Sequence, residues 1–220
     1  MGFASACWKT YLSRPEEDWT RRYAMGELGN CLLDANHHAD ALAVREAELS
    51  MERRLGASTY NILVVQGNLA MTYSKLGRDE EALQLKRDVY YGFVKLYGEE
   101  NEKTLSVALN YALTNFSLKR FEDVKALLRK LLPVARRVLG ESHDLTLRMR
   151  INYAMALYVD TSATLDDIRE AVTTLEDTTR IGRRVLGGAH PLLEAFELAL
   201  QEARRVLRTR ETGRRGTIVY

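Results

Sequence analysis

Apolar residues recur along this chain at helical spacing. Val124, Leu127, Leu128, Leu131, Leu132, Ala135 and Val138 form one stripe, while Lys125, Arg129, Lys130, Arg136 and Arg137 are expected to face away from it. Leu105, Ala108, Leu109, Ala112 and Phe116 form a second stripe of the same period. The segment SLKRFED between them breaks the pattern, and so does SKLGRDEEA earlier in the chain, where Gly77 is placed to end a helix. Each such stretch predicts a helix A, a tight turn, a helix B and a glycine-closed joint. With three prolines and no alternating β-branched runs, strands are not expected.

The joints repeat. Gly56, Gly98 and Gly140 close the phrases RRLG, KLYG and RRVLG at steps of 42 residues, and Gly187 closes a second RRVLG after 47. Asn68, Asn110 and Asn152 keep the 42-residue step, as do Ala70, Ala112 and Ala154. Self-similarity at a fixed period of this size marks stacked supersecondary units, each burying its apolar faces against its neighbours. The expected fold is therefore all-α, a right-handed superhelix of about nine helices arranged as pairs. The expected repeats are 17–56, 57–98, 99–140 and 141–187, with a final helix over 188–208. Residues 1–16 are expected to be a partial repeat or capping helix, and 209–220 a basic, disordered tail.

The 42-residue unit resembles the tetratricopeptide repeat, and at this length the repeats of kinesin light chain. The likeness rests on NLAMTYSKLGRDEEAL (68–83), LGESHDLTL (139–147) and LGGAHPLL (186–193), which are similar to that family's LG-x-x-HP-x-T joint. It covers most of residues 17–208. Asp144 stands where the joint has proline, Lys119 stands where the turn has glycine, and GASTYN and GEENEK lack the histidine. The resemblance implies helix pairs and groove asparagines on helix A that bind peptide backbone.

In a superhelix of helix pairs the A helices line the concave wall, so residues in register on them form a row. Asn68, Asn110 and Asn152 are such a row, and a carboxamide both donates and accepts, as a clamp on an extended peptide requires. The alternative is that these amides tie one A helix to the next. Val64, Ser106 and Arg148 lie four residues earlier and Met71, Leu113 and Met155 three later, on the same helical face. Arg148 would receive a carboxylate, or else be a solvated side chain; Met71 and Met155 would contact ligand, or else be core.

Composition narrows the function. A net charge of +2 over 220 residues gives no strong field for nucleic acid or membrane, and the arginines Arg204, Arg205, Arg208, Arg210, Arg214 and Arg215 read as a solvated final helix. No stretch approaches about 20 apolar residues, so no membrane insertion is expected. Two cysteines, Cys7 and Cys31, make neither a disulfide framework nor a zinc site. The opening MGFASACWKTYL has no signal-peptide pattern, and a cytoplasmic location is expected.

Of the histidines, the adjacent His37 and His38 point apart on a helix, and His143 and His190 fall at equivalent joints as structural residues. The acid pairs Glu16–Glu17, Glu80–Glu81 and Asp166–Asp167 are assigned to helix starts. No phosphate loop, nucleophile elbow or metal-ligand spacing occurs, so no catalytic residue, metal or cofactor is expected. Pro133 inside an apolar stripe predicts a bend. The residues added in the fourth repeat fall in YVDTSATLDD, predicting a longer loop over Asp160–Ala163 and a capping box from Thr164 to Asp167. These features describe a non-catalytic scaffold for a protein or peptide, or alternatively a structural spacer. They leave the partner's identity and the oligomeric state open.

Overall fold

The structure is a computed structural model that describes residues 13–186 and 190–215, with side chains described as far as 212. The expected N-terminal partial repeat (all but its last residues), Cys7, Gly187 and the end of the tail lie outside the described residues. Among the described residues there are nine α-helices and no strand. They are α1 (Trp19–Asp34), α2 (His38–Arg54), α3 (Thr59–Lys75), α4 (Asp79–Tyr97), α5 (Glu102–Ser117), α6 (Phe121–Leu139), α7 (Asp144–Val159), α8 (Leu165–Leu186) and α9 (Pro191–Arg215). The fold is an all-α helical-repeat solenoid. The chain divides at Gly98 into two compact units. In the first, α1 packs on α2, α2 on α3 and α3 on α4; in the second, α5 to α9 pack successively and α7 also touches α5 and α9.

The turns follow from one backbone conformation. Asn36, Gly77 and Lys119 each close a helix A with a positive φ, of 61°, 73° and 58°. The next two amides fold back on the helix: Gly77 N donates to Ser74 O at 3.2 Å and Arg78 N to Tyr73 O at 2.9 Å. Lys119 N on Phe116 O and Arg120 N on Asn115 O repeat this, both at 2.9 Å. That pair of bonds satisfies the last carbonyls of the helix and reverses the chain within three residues. Lys119 departs from the glycine in sequence but not in conformation.

The starts of the A helices are equally regular. Asp18, Ser58, Asn101, His143 and His190 each accept a backbone N–H from the first turn, at 2.8, 3.2, 2.9, 3.2 and 3.2 Å. The joint histidines cap through Nδ1, and the joints lacking histidine cap with Ser58 and Asn101. The Asp18 carboxyl is held down to about 2 by the hydroxyl and amide of Thr20, with Arg14 adding to them.

Three expectations are corrected. Lys125, expected to face away, is buried; its ammonium lies 2.5 Å from Glu122 and 3.5 Å from Asp160, because the longer loop after α7 brings Asp160 over it. Glu16 and Glu17 precede the cap rather than opening a helix, and Glu16 instead pairs with Arg54 at 2.5 Å. The final helix continues past 208 to Arg215, held where Glu211 meets Arg169 at 3.1 Å and Arg210 donates to Thr161 O at 2.8 Å. Helix α6 continues through Pro133, from Phe121 to Leu139. The capping box is present: Thr164 N donates to Asp167 Oδ2 at 2.9 Å and Asp167 N to Thr164 Oγ1 at 3.1 Å.

The second unit's core contains the fully buried Leu105, Leu128, Leu147, Met149, Leu157 and Phe196. In the first unit Leu49, Val65 and Leu69 pack with Leu42, Ile62 and Leu85. Between α1 and α2 the contact is polar. Arg45, 1% exposed, donates to Glu48 at 2.7 Å and to Asn30, in space left by Gly29, where a Cβ would sit 2.7 Å from the guanidinium carbon.

Two substitutions test these local arguments. Lys119→Gly removes a left-handed-region penalty and is expected to stabilise the chain by about 1 kcal/mol, read as a raised denaturation midpoint. Gly29→Ala forces the buried Arg45 to move and is expected to destabilise by about 1–3 kcal/mol in the same measurement.

Candidate functional site

Helix α7 touches α5, α6, α8 and α9, and is buried almost all round. Its only residues not buried are Asp144, Arg148, Asn152, Met155 and Val159, which succeed one another at intervals of four, four, three and four. That is one stripe of a helical surface. Three candidate residues of the second unit, Arg148, Asn152 and Met155, are the middle of this stripe.

On α5 the same arrangement holds with less enclosure. Leu105, Ala108, Leu109 and Ala112 are buried, while Ser106, Asn110 and Leu113 are exposed. Since α5 and α7 touch, Ser106, Asn110 and Leu113 and the α7 stripe belong to neighbouring helices of one unit. Asn68 and Met71 belong to the first unit, on α3, where Met71 and Val64 are exposed and Asn68 is half-buried. Met71 is thus not core; Met155 is half-buried.

The amides are not used to join helices. Among the described residues, neither the Asn68 nor the Asn110 side chain bonds to another helix, and Asn152 Nδ2 donates within α7 to Arg148 O at 2.8 Å. The backbone carbonyls of Asn68 and Asn110 each accept a bond from the buried hydroxyl of Thr72 or Thr114, at 3.1 and 3.2 Å, which leaves the carboxamides out of it. The same Asn-x-x-x-Thr spacing recurs at both positions in the sequence. Arg148 is exposed and pairs with Asp144 at 2.7 Å, so a ligand carboxylate would compete with a carboxylate already present.

Behind the stripe, polar contacts fix α7 in place. Tyr153 OH donates to Glu170 at 2.7 Å and accepts from Arg129 Nε at 3.0 Å, and burial pushes its phenol above the ordinary range. Arg150 is buried with Glu141 at 2.9 Å and Asp177 at 3.9 Å; burial pulls its guanidinium below its ordinary value. Neither group reaches the open stripe. Among the described residues no group of three or more His, Cys, Asp and Glu is placed to hold a metal, and no helix is long and apolar enough to cross a membrane.

Comparison with known proteins agrees with this architecture. The tetratricopeptide repeat family matches residues 62–101. No curated protein matches the chain by sequence. The fold is similar to that of a putative kinesin light chain with TPR-like repeats from Podosopora anserina, with a TM-score of 0.73 and 20% identity over 90% of this chain and 92% of that one. It is also similar to BtubC (BKLC) from P. vanneervenii, with a TM-score of 0.72 and 17% identity over 100% and 91% of the two chains. A Rap protein, solved in complex with competence and sporulation factor, gives a TM-score of 0.60 at 15% identity over 94% of this chain and 59% of that one.

Because the three carboxamides join no helices, replacing Asn68, Asn110 and Asn152 together by alanine is expected to change stability by less than about 1 kcal/mol. A fall of several kcal/mol in thermal or denaturant melting would return them to the role of structural bridges.

Proposed function

Taking the chain as a tetratricopeptide-like repeat protein with a kinesin-light-chain-like fold, we propose that it is a non-catalytic, cytoplasmic interaction scaffold. Its ligand is an extended peptide or partner segment lying on the open stripes of the A helices. The observation that carries this reading is α7: a helix enclosed by four others keeps a single exposed stripe, and Asn152 stands at its centre. A spacer would need no such stripe, and amides serving only as spacers would be expected to join helices.

Each residue has a place in the binding. Asn68, Asn110 and Asn152 supply carboxamides that donate to and accept from the ligand's backbone, which makes the contact independent of ligand side chain. Met71, Leu113 and Met155 supply adaptable apolar surface beside them. Ser106 adds a hydroxyl, and Arg148 exchanges Asp144 for a ligand carboxylate where one is offered. The Rap structure, similar in fold, is of a complex with a factor, and it supports the general use of such repeats for binding.

The test pairs affinity with stability. After capture of a partner from source-cell lysate, the Asn68→Ala, Asn110→Ala, Asn152→Ala triple variant is titrated beside the parent. Each lost hydrogen bond is worth about 1 kcal/mol, so affinity is expected to fall about two orders of magnitude at unchanged helicity. Undiminished affinity in the folded variant would overturn the clamp.

A further inference from the structure

The first unit contains a cleft of about 360 Å3, of whose lining residues only Val64 is among the candidates on the face of the Asn row. Three helices line it, each with residues one turn apart. Trp19 and Tyr23 on α1 are 72% and 63% exposed; Tyr60 and Val64 on α3 stand opposite; Glu48 and Glu52 of α2 make the floor. Large aromatics this exposed are normally buried in a core or used at an interface.

The charges of the floor are unequally committed. Arg22, which also lines the cleft, donates Nε to Glu52 at 2.6 Å and Nη2 to the second Glu52 oxygen, so this fork occupies both. Glu48 meets Arg45 through Oε2 alone. Its other oxygen lies against Gly26, where a Cβ would be 3.2 Å away, and among the described residues no donor reaches it. Arg45 itself is sealed beneath the floor. The cleft is therefore lined by two carboxylates, Glu52 taken by the Arg22 fork and Glu48 paired through one oxygen with Arg45, which leaves Glu48 Oε1 as the acceptor without a donor among the described residues. Burial holds the Glu48 carboxyl above its ordinary range in spite of Arg45, and a further cation would offset that penalty.

A carboxylate oxygen without a donor, on a residue that lines the cleft beside exposed aromatics, complements a cation on an apolar stem. It repels an anion and leaves the oxygen unmet by a purely apolar group. We infer that this cleft receives an arginine or lysine side chain of the partner polypeptide, its charged head on Glu48 Oε1 and its stem between Trp19, Tyr23, Tyr60 and Val64. The volume suits one long side chain and is too small for a helix. This deepens the scaffold reading and rests on it only in placing the cation on a partner polypeptide.

The test uses the whole chain and a small probe. N-acetyl-arginine amide and its neutral isostere N-acetyl-citrulline amide are titrated while the tryptophan indole N–H signals are followed by NMR. The chain has two tryptophans, Trp8 and Trp19, and Trp19→Phe assigns the signals. The arginine probe is expected to shift the Trp19 signal saturably, with the citrulline probe about tenfold weaker. Glu48→Gln is expected to weaken arginine binding about tenfold. Tyr23→Ala, at a side chain too exposed to support the core, is expected to weaken it about threefold. Equal binding of the two probes, undiminished binding in Tyr23→Ala, or no saturable Trp19 shift would overturn the proposal. The probe reads the cleft and the Asn variants read the stripe, so either can fail while the other stands.

Discussion

The enclosure of α7 by α5, α6, α8 and α9 is the constraint on which the second unit depends. Leu145, Leu147, Met149, Ile151 and Leu157 are all buried, together with polar Thr146 and Arg150. Each fully buried apolar side chain of this size contributes about 1.5–3 kcal/mol. A helix apolar on nearly every side cannot stand alone in water, so α7 is stable only inside its neighbours. Of those neighbours, α6 follows α5 through the left-handed Lys119, and α8 is started by the Thr164–Asp167 capping box after the longer loop. The open stripe is what remains when four helices have covered the rest.

Buried charge is the second constraint, and it is confined to the seams. Arg45 lies between α1 and α2, Lys125 under the loop of Asp160, and Arg150 beside Glu141 and Asp177. Removing such charges from water is costly; Lys125 and Arg150 draw compensation from carboxylates outside their own helices, whereas Arg45 is paired with Glu48 within α2 and reaches α1 through Asn30. Deleting one partner would strand the other. The longer fourth loop is accommodated in this way: Asp160 turns inward to Lys125, and Ser162, then Lys125, hold its carboxyl below the ordinary range. An added stretch of chain has become part of the packing.

The helices were legible because their evidence is periodic. Apolar spacing located α5 and α6, the recurring Gly56, Gly98 and Gly140 located the joints, and Thr164 with Asp167 marked the start of α8. What escaped depended on contacts between distant residues. Lys125 looked solvent-facing because its burial is decided by Asp160, 35 positions along the sequence. The helix beyond 208 looked like a tail because Glu211 is held by Arg169 and Arg210 by the carbonyl of Thr161. The Asn row was readable as a register, whereas the freedom of its amides was not, since that turns on what the neighbouring helices leave unbonded. The cleft of the first unit had no signal at all: Trp19, Glu48 and Tyr60 share no spacing rule and meet only through packing.

The stripe and the cleft differ in the information they can extract from a ligand. Carboxamides acting on a peptide backbone give affinity without regard to sequence, and Met71, Leu113 and Met155 can adjust to whatever side chain is presented. Such a surface alone is permissive. Discrimination requires a site where the wrong group leaves a buried polar atom unmet, because that penalty exceeds the mean worth of a hydrogen bond. Glu48 Oε1 is such an atom: it lacks a donor among the described residues, and a neutral ligand would cover it without supplying one. On this reading the open stripes supply affinity, and the cleft of the first unit supplies selection. On this proposal specificity resides in one carboxylate oxygen of the Arg45–Glu48 pair within α2, and the bond from Arg45 to Asn30 ties that pair to α1.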